Sequence, residues 1–296
     1  MSIQQNIFVI IVSYNGEKHL KPCLDSLALS NIPLKVVVID NCSNDQSVQI
    51  LQEYALAKLI LSKENLGFGQ ANNLGIQYAL EQNADYIFLL NQDTWIRPNS
   101  IEELVKCSAE LPDMQLLSPL QYAGNEKDLD FGFQRYYAAA NPSSYPNCKE
   151  SQFVNAAAWW LKASTFKQIG GFNPLFPHYG EDLNFCHRFL AQNGKIFITT
   201  KSLIFHNRPQ STAENKQLKL QQINLLANLL NPQHSLASAF LKASYQTASQ
   251  LKFLPKSPKN SLIGLFSMAW FLLQQLMRYN SLKENRAKSM QPKAFL

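Results

Sequence analysis

The sequence predicts an α/β fold with a doubly wound, mostly parallel sheet flanked by helices, on three observations. Short apolar runs recur in the first hundred residues, at 7–12, 36–39 and 86–90. They are continuous rather than alternating, as in strands covered on both faces of a parallel sheet. Helical patterns lie between them, and strands alternating with helices read as βαβ units.

In chain order, residues 18–29 form the first helix, with Leu20, Leu24 and Leu27 at helical spacing. Helices over 46–57 and 70–82 follow, the second with Leu74, Ile76 and Leu80 among its apolar positions. Residues 120–150 show no periodicity and read as loop. A strand over 153–161 puts one of Trp159 and Trp160 inward, in the core, and the other outward. A helix stopped by Gly170-Gly171 comes next, then a helix through 188–192 and a strand over 195–199. Residues 215–230 read as helix, 254–260 (LPKSPKN) as linker and 261–277 as a strongly apolar stretch. This divides the chain at 1–215 and 216–296, the second part a basic, helical C-terminal region.

The composition is globular, with 46% apolar and 16% charged residues over 296 positions, which excludes a disordered or fibrous chain. Ten of the basic residues fall in 217–296 against one acid, Glu284, and the remainder is mildly acidic. That distribution argues against a nucleic-acid-binding core and suits contact between the tail and an anionic membrane surface. A tail that is only solvated is the alternative. Five cysteines without a CxxC pair argue against a zinc cage or disulfide framework. The N-terminus lacks the pattern of a signal peptide, so the expected location is cytoplasmic. Asn260–Met277 is uncharged but carries Asn260, Ser261, Gln274 and Gln275, which shorten its apolar centre. An interfacial helix is preferred there, a packed helix comes second and a membrane span third.

Each of the three early strands ends in polar residues: Ser13-Tyr14-Asn15, Asp40-Asn41 and Asn91-Gln92-Asp93. In an open parallel sheet the ligand crevice lies beyond the carboxyl ends of the strands, so these side chains are expected to converge. Asp45 opens a helix and serves either as its N-cap or in the site. Asn65-Leu66-Gly67-Phe68-Gly69 enters the next helix without completing GxGxxG, which argues against a dinucleotide-binding dehydrogenase. Glycines at a helix entrance still let a diphosphate approach backbone N–H groups.

Read together with Asn72-Asn73, Gly170-Gly171-Phe172-Asn173, Gly180-Glu181-Asp182-Leu183-Asn184 and His206, this order of motifs resembles the family-2 glycosyltransferases, in particular their rhamnosyltransferase-like branch. The resemblance covers about residues 7–210. It implies the GT-A fold, Rossmann-like with a C-terminal helical extension. The implied activity is inverting transfer of a sugar, L-rhamnose or a hexose, from a dTDP- or UDP-linked donor. The acceptor it implies is a glycan or lipid-linked saccharide in synthesis of a surface polysaccharide such as O-antigen or capsule.

By the same resemblance, Ser13, Tyr14, Asn15, Asp40, Asn41, Asn65, Gly67, Asn72, Asn91, Gln92 and Asp93 bind the donor. Asp93 and His206 hold Mg²⁺ or Mn²⁺, Asp182 is the general base and Glu181 supports it. A packed histidine is the alternative for His206, and a dipole-favoured acidic pair the alternative for Glu181-Asp182. Asn184 departs from the pattern, because an acid often stands two positions after the base. Trp95, Trp159, Trp160, Phe172 and Tyr179 are aromatic candidates for stacking on sugar faces. A nucleotide-binding module without turnover and a sugar nucleotidyltransferase are the rival readings. The second expects a glycine-rich loop after the first strand, where this chain has Ser13-Tyr14-Asn15-Gly16-Glu17.

Overall fold

A computed structural model describes residues 5–208, 214–249 and 258–296. The order is β1 (Ile7–Ser13), α1 (Leu20–Ala28), β2 (Lys35–Asp40), α2 (Ser47–Gln52), β3 (Lys58–Leu61), α3 (Gly67–Glu81), β4 (Tyr86–Asn91) and β5 (Thr94–Ile96). Then come α4 (Ser100–Glu110), β6 (Gln115–Ala123), α5 (Phe133–Ala139), β7 (Asn141–Pro142), β8 (Cys148–Ser151), β9 (Ala158–Lys162), α6 (Ala163–Ile169), α7 (Glu181–Ala191) and β10 (Lys195–His206). Four helices follow: α8 (Glu214–Leu229), α9 (Leu236–Ala248), α10 (Pro258–Met277) and α11 (Tyr279–Ser289).

The strands form one sheet in the order β3-β2-β1-β4-β9-β6-β10-β8-β7, with β5 paired to β10. β3, β2, β1 and β4 are mutually parallel, as the unbroken apolar runs predict for β2, β1 and β4; the short edge strand β3 was not expected. The second half is mixed: β9 runs antiparallel between β4 and β6, while β6 and β10 are parallel to each other. One apolar layer, with Ile10, Ile39, Ile76, Trp159 and Phe185, covers one face of the sheet. A second, with Val9, Leu24, Val38, Leu104 and Trp160, covers the other.

Several elements differ from the expectation. The helix over 46–57 stops at Gln52, and the chain enters β3 at Lys58. The stretch 120–150 contains the end of β6, the short helix α5 and the β7–β8 hairpin. β10 runs on to His206 past a register shift between Thr199 and Leu203. Trp159 and Trp160 do point to opposite faces, but both faces are covered and both rings are fully buried. Neither is available to line a cleft.

The helices α8–α11 build a third apolar cluster around Leu225, Ala239, Met268 and Leu282, joined to the sheet domain through Phe176. Residues 254–257 of the expected linker lie outside the described residues. Among the described residues, no helix is long and apolar enough to cross a membrane.

Candidate functional site

Strand register places the polar strand ends side by side: Ser13 pairs with Asp40, and Val12 with Asn91. The loops beyond them are tied together by side chains. Gln92 holds the main chain of Tyr14 in both directions, its Oε1 accepting from the Tyr14 N–H and its Nε2 donating to the Tyr14 carbonyl, each at 3.0 Å. Asn15, in the left-handed region at φ 48°, accepts from the Asn44 N–H at 2.9 Å. Asp40 is buried and takes the Ser43 hydroxyl at 2.6 Å and its N–H at 3.1 Å. Asn41 and Asn65 join side chain to side chain at 2.9 Å, and Asn65 Oδ1 also accepts from the Gly67 N–H at 2.9 Å.

Asp45 sits at the start of its helix, with its carboxylate accepting from the N–H groups of Ser47 at 3.0 Å and Glu17 at 3.1 Å. The entrance glycines also meet a packing requirement. Gly67 has φ +76°, and a Cβ there would lie 1.9 Å from the Pro177 carbonyl oxygen. A Cβ on Gly69 would meet Phe172 Cβ at 2.9 Å and Glu181 Cβ at 3.4 Å. The missing side chains let the 172–181 segment seat against α3. Asn72 does not join the other polar groups: it is buried and gives its amide to the Phe68 carbonyl at 2.9 Å.

Asp93 and His206 do come together. His206, the last residue of β10, pairs in register with Thr94, and its Nε2 lies 3.3 Å from Asp93 Oδ1. Burial alone would raise the Asp93 pKa, but the His206 contact outweighs it and the carboxyl sits below its ordinary value. Asp130 stands behind His206, with its Oδ2 3.7 Å from Nδ1. Arg208 grips Asp130 through Nε at 2.9 Å and Nη2 at 2.5 Å.

Among the described residues, no group of three or more His, Cys, Asp or Glu is placed to hold a metal ion. Asp93 and His206 thus offer one oxygen and one nitrogen donor. That set fits Mg²⁺ or Mn²⁺ only where a ligand such as a diphosphate supplies further oxygens.

Glu181 and Asp182 open α7 behind Gly180. Glu181 is buried with Oε2 unpaired, whereas Asp182 is half-buried and accepts from the Leu183 N–H at 2.7 Å. Burial pushes the proton affinity of both carboxyls up, and Asp182's charge pushes Glu181 further. Tyr136 of α5 packs edge-on against Phe153. Its hydroxyl is raised first by burial, then by the charge of Asp182, and it also senses Arg208 and Asp130. The chain therefore offers a donor pair for a cation at Asp93 and His206 and a carboxylate suited to accept a proton at Asp182.

Asn184 points away from this chemistry. It is fully buried and its Oδ1 accepts from Arg188 Nε at 3.2 Å. Of the aromatic candidates, Phe172 is buried against Trp159, while Trp95 is half-buried and Tyr179 is exposed. Asp130, Tyr136 and Arg208 escaped the sequence reading. The first two lie in a stretch without periodicity, and Arg208 follows the strand that was expected to end at Thr199.

A model of the Glycosyl transferase family 2 matches residues 8–166, more than half of the chain. Glycosyltransferase GlyA of Streptococcus pneumoniae serotype 4 is 29% identical over 185 residues, 57% of this chain and 26% of that protein. The chain thus spans about a quarter of GlyA. Rhamnosyltransferase WbbL of Escherichia coli K12 is 26% identical over 204 residues, 62% of this chain and 76% of that one.

Among solved structures, residues 1–349 of Staphylococcus aureus TarS with UDP-GlcNAc superpose with a TM-score of 0.60 at 17% identity, covering 97% of this chain and 90% of that one. Mannosyltransferase PcManGT from Pyrobaculum calidifontis, with GDP-Man and Mn²⁺, superposes at 0.59 and 16% identity, covering 92% and 88%. Both likenesses establish the GT-A fold. With more than half of its length matched by the family model, the chain belongs to Glycosyl transferase family 2.

Proposed function

We propose that this protein is an inverting, metal-assisted glycosyltransferase of polysaccharide synthesis. It takes a sugar, L-rhamnose or a hexose, from a dTDP- or UDP-linked donor to a hydroxyl of a glycan or lipid-linked saccharide. One observation carries the reading: Asp93, just beyond β4, and His206, the end of β10, meet at 3.3 Å and offer an oxygen and a nitrogen donor beside the polar ends of β1 and β2. Membership of the family and the rhamnosyltransferase among its relatives support the reaction class and the sugar. The division of labour at 215/216 belongs to the same proposal, with donor and catalytic groups before it and a packed helical extension after it.

In this mechanism the tied loops of Tyr14, Asn15, Asp40, Asn41, Asn65 and Asn91–Asp93 bind the nucleotide and diphosphate. Ser13 Oγ and Asn91 Oδ1, buried and without a partner, are assigned to the donor as well. A divalent cation held by Asp93 and His206 supplies, when bound, positive charge to the diphosphate oxygens. Asp182 takes the acceptor hydroxyl proton as that oxygen forms its bond to the anomeric carbon on the face opposite the diphosphate. The bond from the anomeric carbon to the diphosphate oxygen breaks, and the nucleoside diphosphate leaves with its electron pair. Glu181, unpaired and starved of water, stays protonated to higher pH and so limits charge repulsion beside the base.

Calorimetric titration of UDP, dTDP and GDP, with and without Mn²⁺, tests the donor side. Metal-dependent binding of one pyrimidine diphosphate is expected, and it is lost in Asp93→Ala. Asp182→Asn is expected to keep that binding and lose transfer. Full transfer by Asp182→Asn overturns the assignment of the base, and folded protein that binds no diphosphate overturns the reading as a whole.

A further inference from the structure

The helix α10 is apolar on its outer face as well as on the face that packs Met268 into the third cluster. Leu262, Phe266, Trp270, Leu273 and Met277 recur at spacings of four, four, three and four, and all five are exposed. Phe266 is 71% exposed, Met277 69% and Trp270 60%. Two polar residues of the same helix face the protein instead. Gln275 is buried, and Ser267 accepts a hydrogen bond from Gln222 of α8 at 2.9 Å. A helix covering a water-soluble body normally shows the opposite arrangement. The neighbouring α9, packed on α10 through Ala239, Ala243 and Met268, adds Leu241 and Tyr245, each more than 70% exposed. An apolar surface this extended marks a binding face.

The charge of the region selects the partner. Residues 217–296 hold ten Lys or Arg against a single Glu284, and Arg278, at the end of the stripe, is exposed. A second copy docking through this face would bring two strongly basic regions together. An anionic lipid surface meets the basic charge and the apolar stripe at once. Among the described residues no helix can cross the bilayer, so α10 would lie along the interface.

We propose that α10, flanked by α9, is a membrane-docking face that lies flat on an anionic bilayer with Phe266 and Trp270 inserted below the head groups. This docking is independent of the transfer reaction and stands or falls separately from it.

The test is co-sedimentation with phosphatidylcholine vesicles, with and without phosphatidylglycerol, using the full chain. Wild type is expected to sediment with the anionic vesicles. Phe266→Ser and Trp270→Ser are each expected to weaken partitioning about tenfold while circular dichroism stays native. Brominated lipid is expected to quench wild-type tryptophan fluorescence, and Trp270→Phe to lose that quenching while still binding. Failure to bind anionic vesicles overturns the proposal, as does binding that neither serine variant weakens. Light scattering that shows a dimer abolished by the same variants would also overturn it and assign the face to a second copy.

Discussion

Asn73 closes on the main chain of Phe172 from both sides, its Oδ1 accepting from the N–H at 2.7 Å and its Nδ2 donating to the carbonyl at 2.8 Å. The same amide donates to the Phe295 carbonyl at 3.0 Å. One side chain thus fixes α3, the segment leading to Glu181 and the end of the described chain. Asn73→Ala leaves buried main-chain groups unpaired and is expected to cost about 3 kcal/mol. Urea unfolding measures that loss; an unchanged midpoint would show that the amide is dispensable.

Gln92 does similar work beyond the end of β4 by holding both main-chain groups of Tyr14. Gln92→Glu keeps the shape but removes the donor and sets a carboxylate against the Tyr14 carbonyl. Donor affinity is expected to fall about tenfold, from the loss of roughly one hydrogen bond, with little change in melting temperature. Calorimetry of the variant checks the affinity.

Glu181 should make the protein less stable as pH rises. Its carboxyl holds its proton in the folded state above the ordinary value of 4.5, so above that pH the folded form binds more protons than the unfolded chain. Stability therefore falls as pH climbs from 4.5 toward the raised folded value, and levels off beyond it. Glu181→Gln removes this slope. The variant is expected to melt higher than wild type in mildly alkaline buffer, with the difference vanishing in acid. Parallel melting curves for the two proteins across the whole pH range would remove the argument.

Asp130 stands behind His206 and is gripped by Arg208. Groups behind a metal ligand commonly tune metal affinity by about 10- to 100-fold. Asp130→Asn is expected to raise the Mn²⁺ concentration needed for half-maximal nucleotide binding by at least about tenfold, without unfolding the protein. Unaltered Mn²⁺ dependence would assign Asp130 to the architecture of α5 alone, where it accepts from the N–H groups of Gly132 and Phe133.

The departure at Asn184 has a local explanation and its own test. Arg188 is fully buried, and burial lowers its pKa to about 9. It donates to the Ile169 carbonyl at 2.8 Å, to the Gly171 carbonyl and to Asn184 Oδ1, while Asn184 Nδ2 has no partner. Asn184→Asp removes the unpaired donor and faces the guanidinium with a charge. It is expected to stabilise the fold by about 1 kcal/mol near neutral pH. Thermal unfolding of the variant decides the sign.

The legible part of the fold was the part in which one strand satisfies one simple period. β1, β2 and β4 are covered on both faces by helices, so their sequences are unbroken apolar runs and their polar ends stand out. β6 was not legible because Pro119 interrupts it. In the sheet that proline sits beside the register shift of β10 between Thr199 and Leu203, where a missing N–H is tolerated. The pair Trp159-Trp160 shows the converse: period two gave the right directions, but nothing local told that both faces of the sheet are covered. At the site, Asp93 and His206 were readable as motif positions and do meet. Asp130 looks like an ordinary turn residue, and only its main-chain bond to Gln121 of β6, the strand beside β10, brings it to His206.

The Asn73–Phe295 hydrogen bond joins residues 222 positions apart. During synthesis β1 to β4 emerge early with everything they need to pair, whereas the segment ahead of Glu181 waits for residues near 295 to leave the ribosome. The Glu181–Asp182 pair is then among the last polar groups to acquire its final surroundings, and a partly made chain holds a formed sheet edge beside an unset 172–181 segment. In nascent chains arrested before residue 295, a protease is expected to cut the 170–180 segment while the β1–β4 region resists.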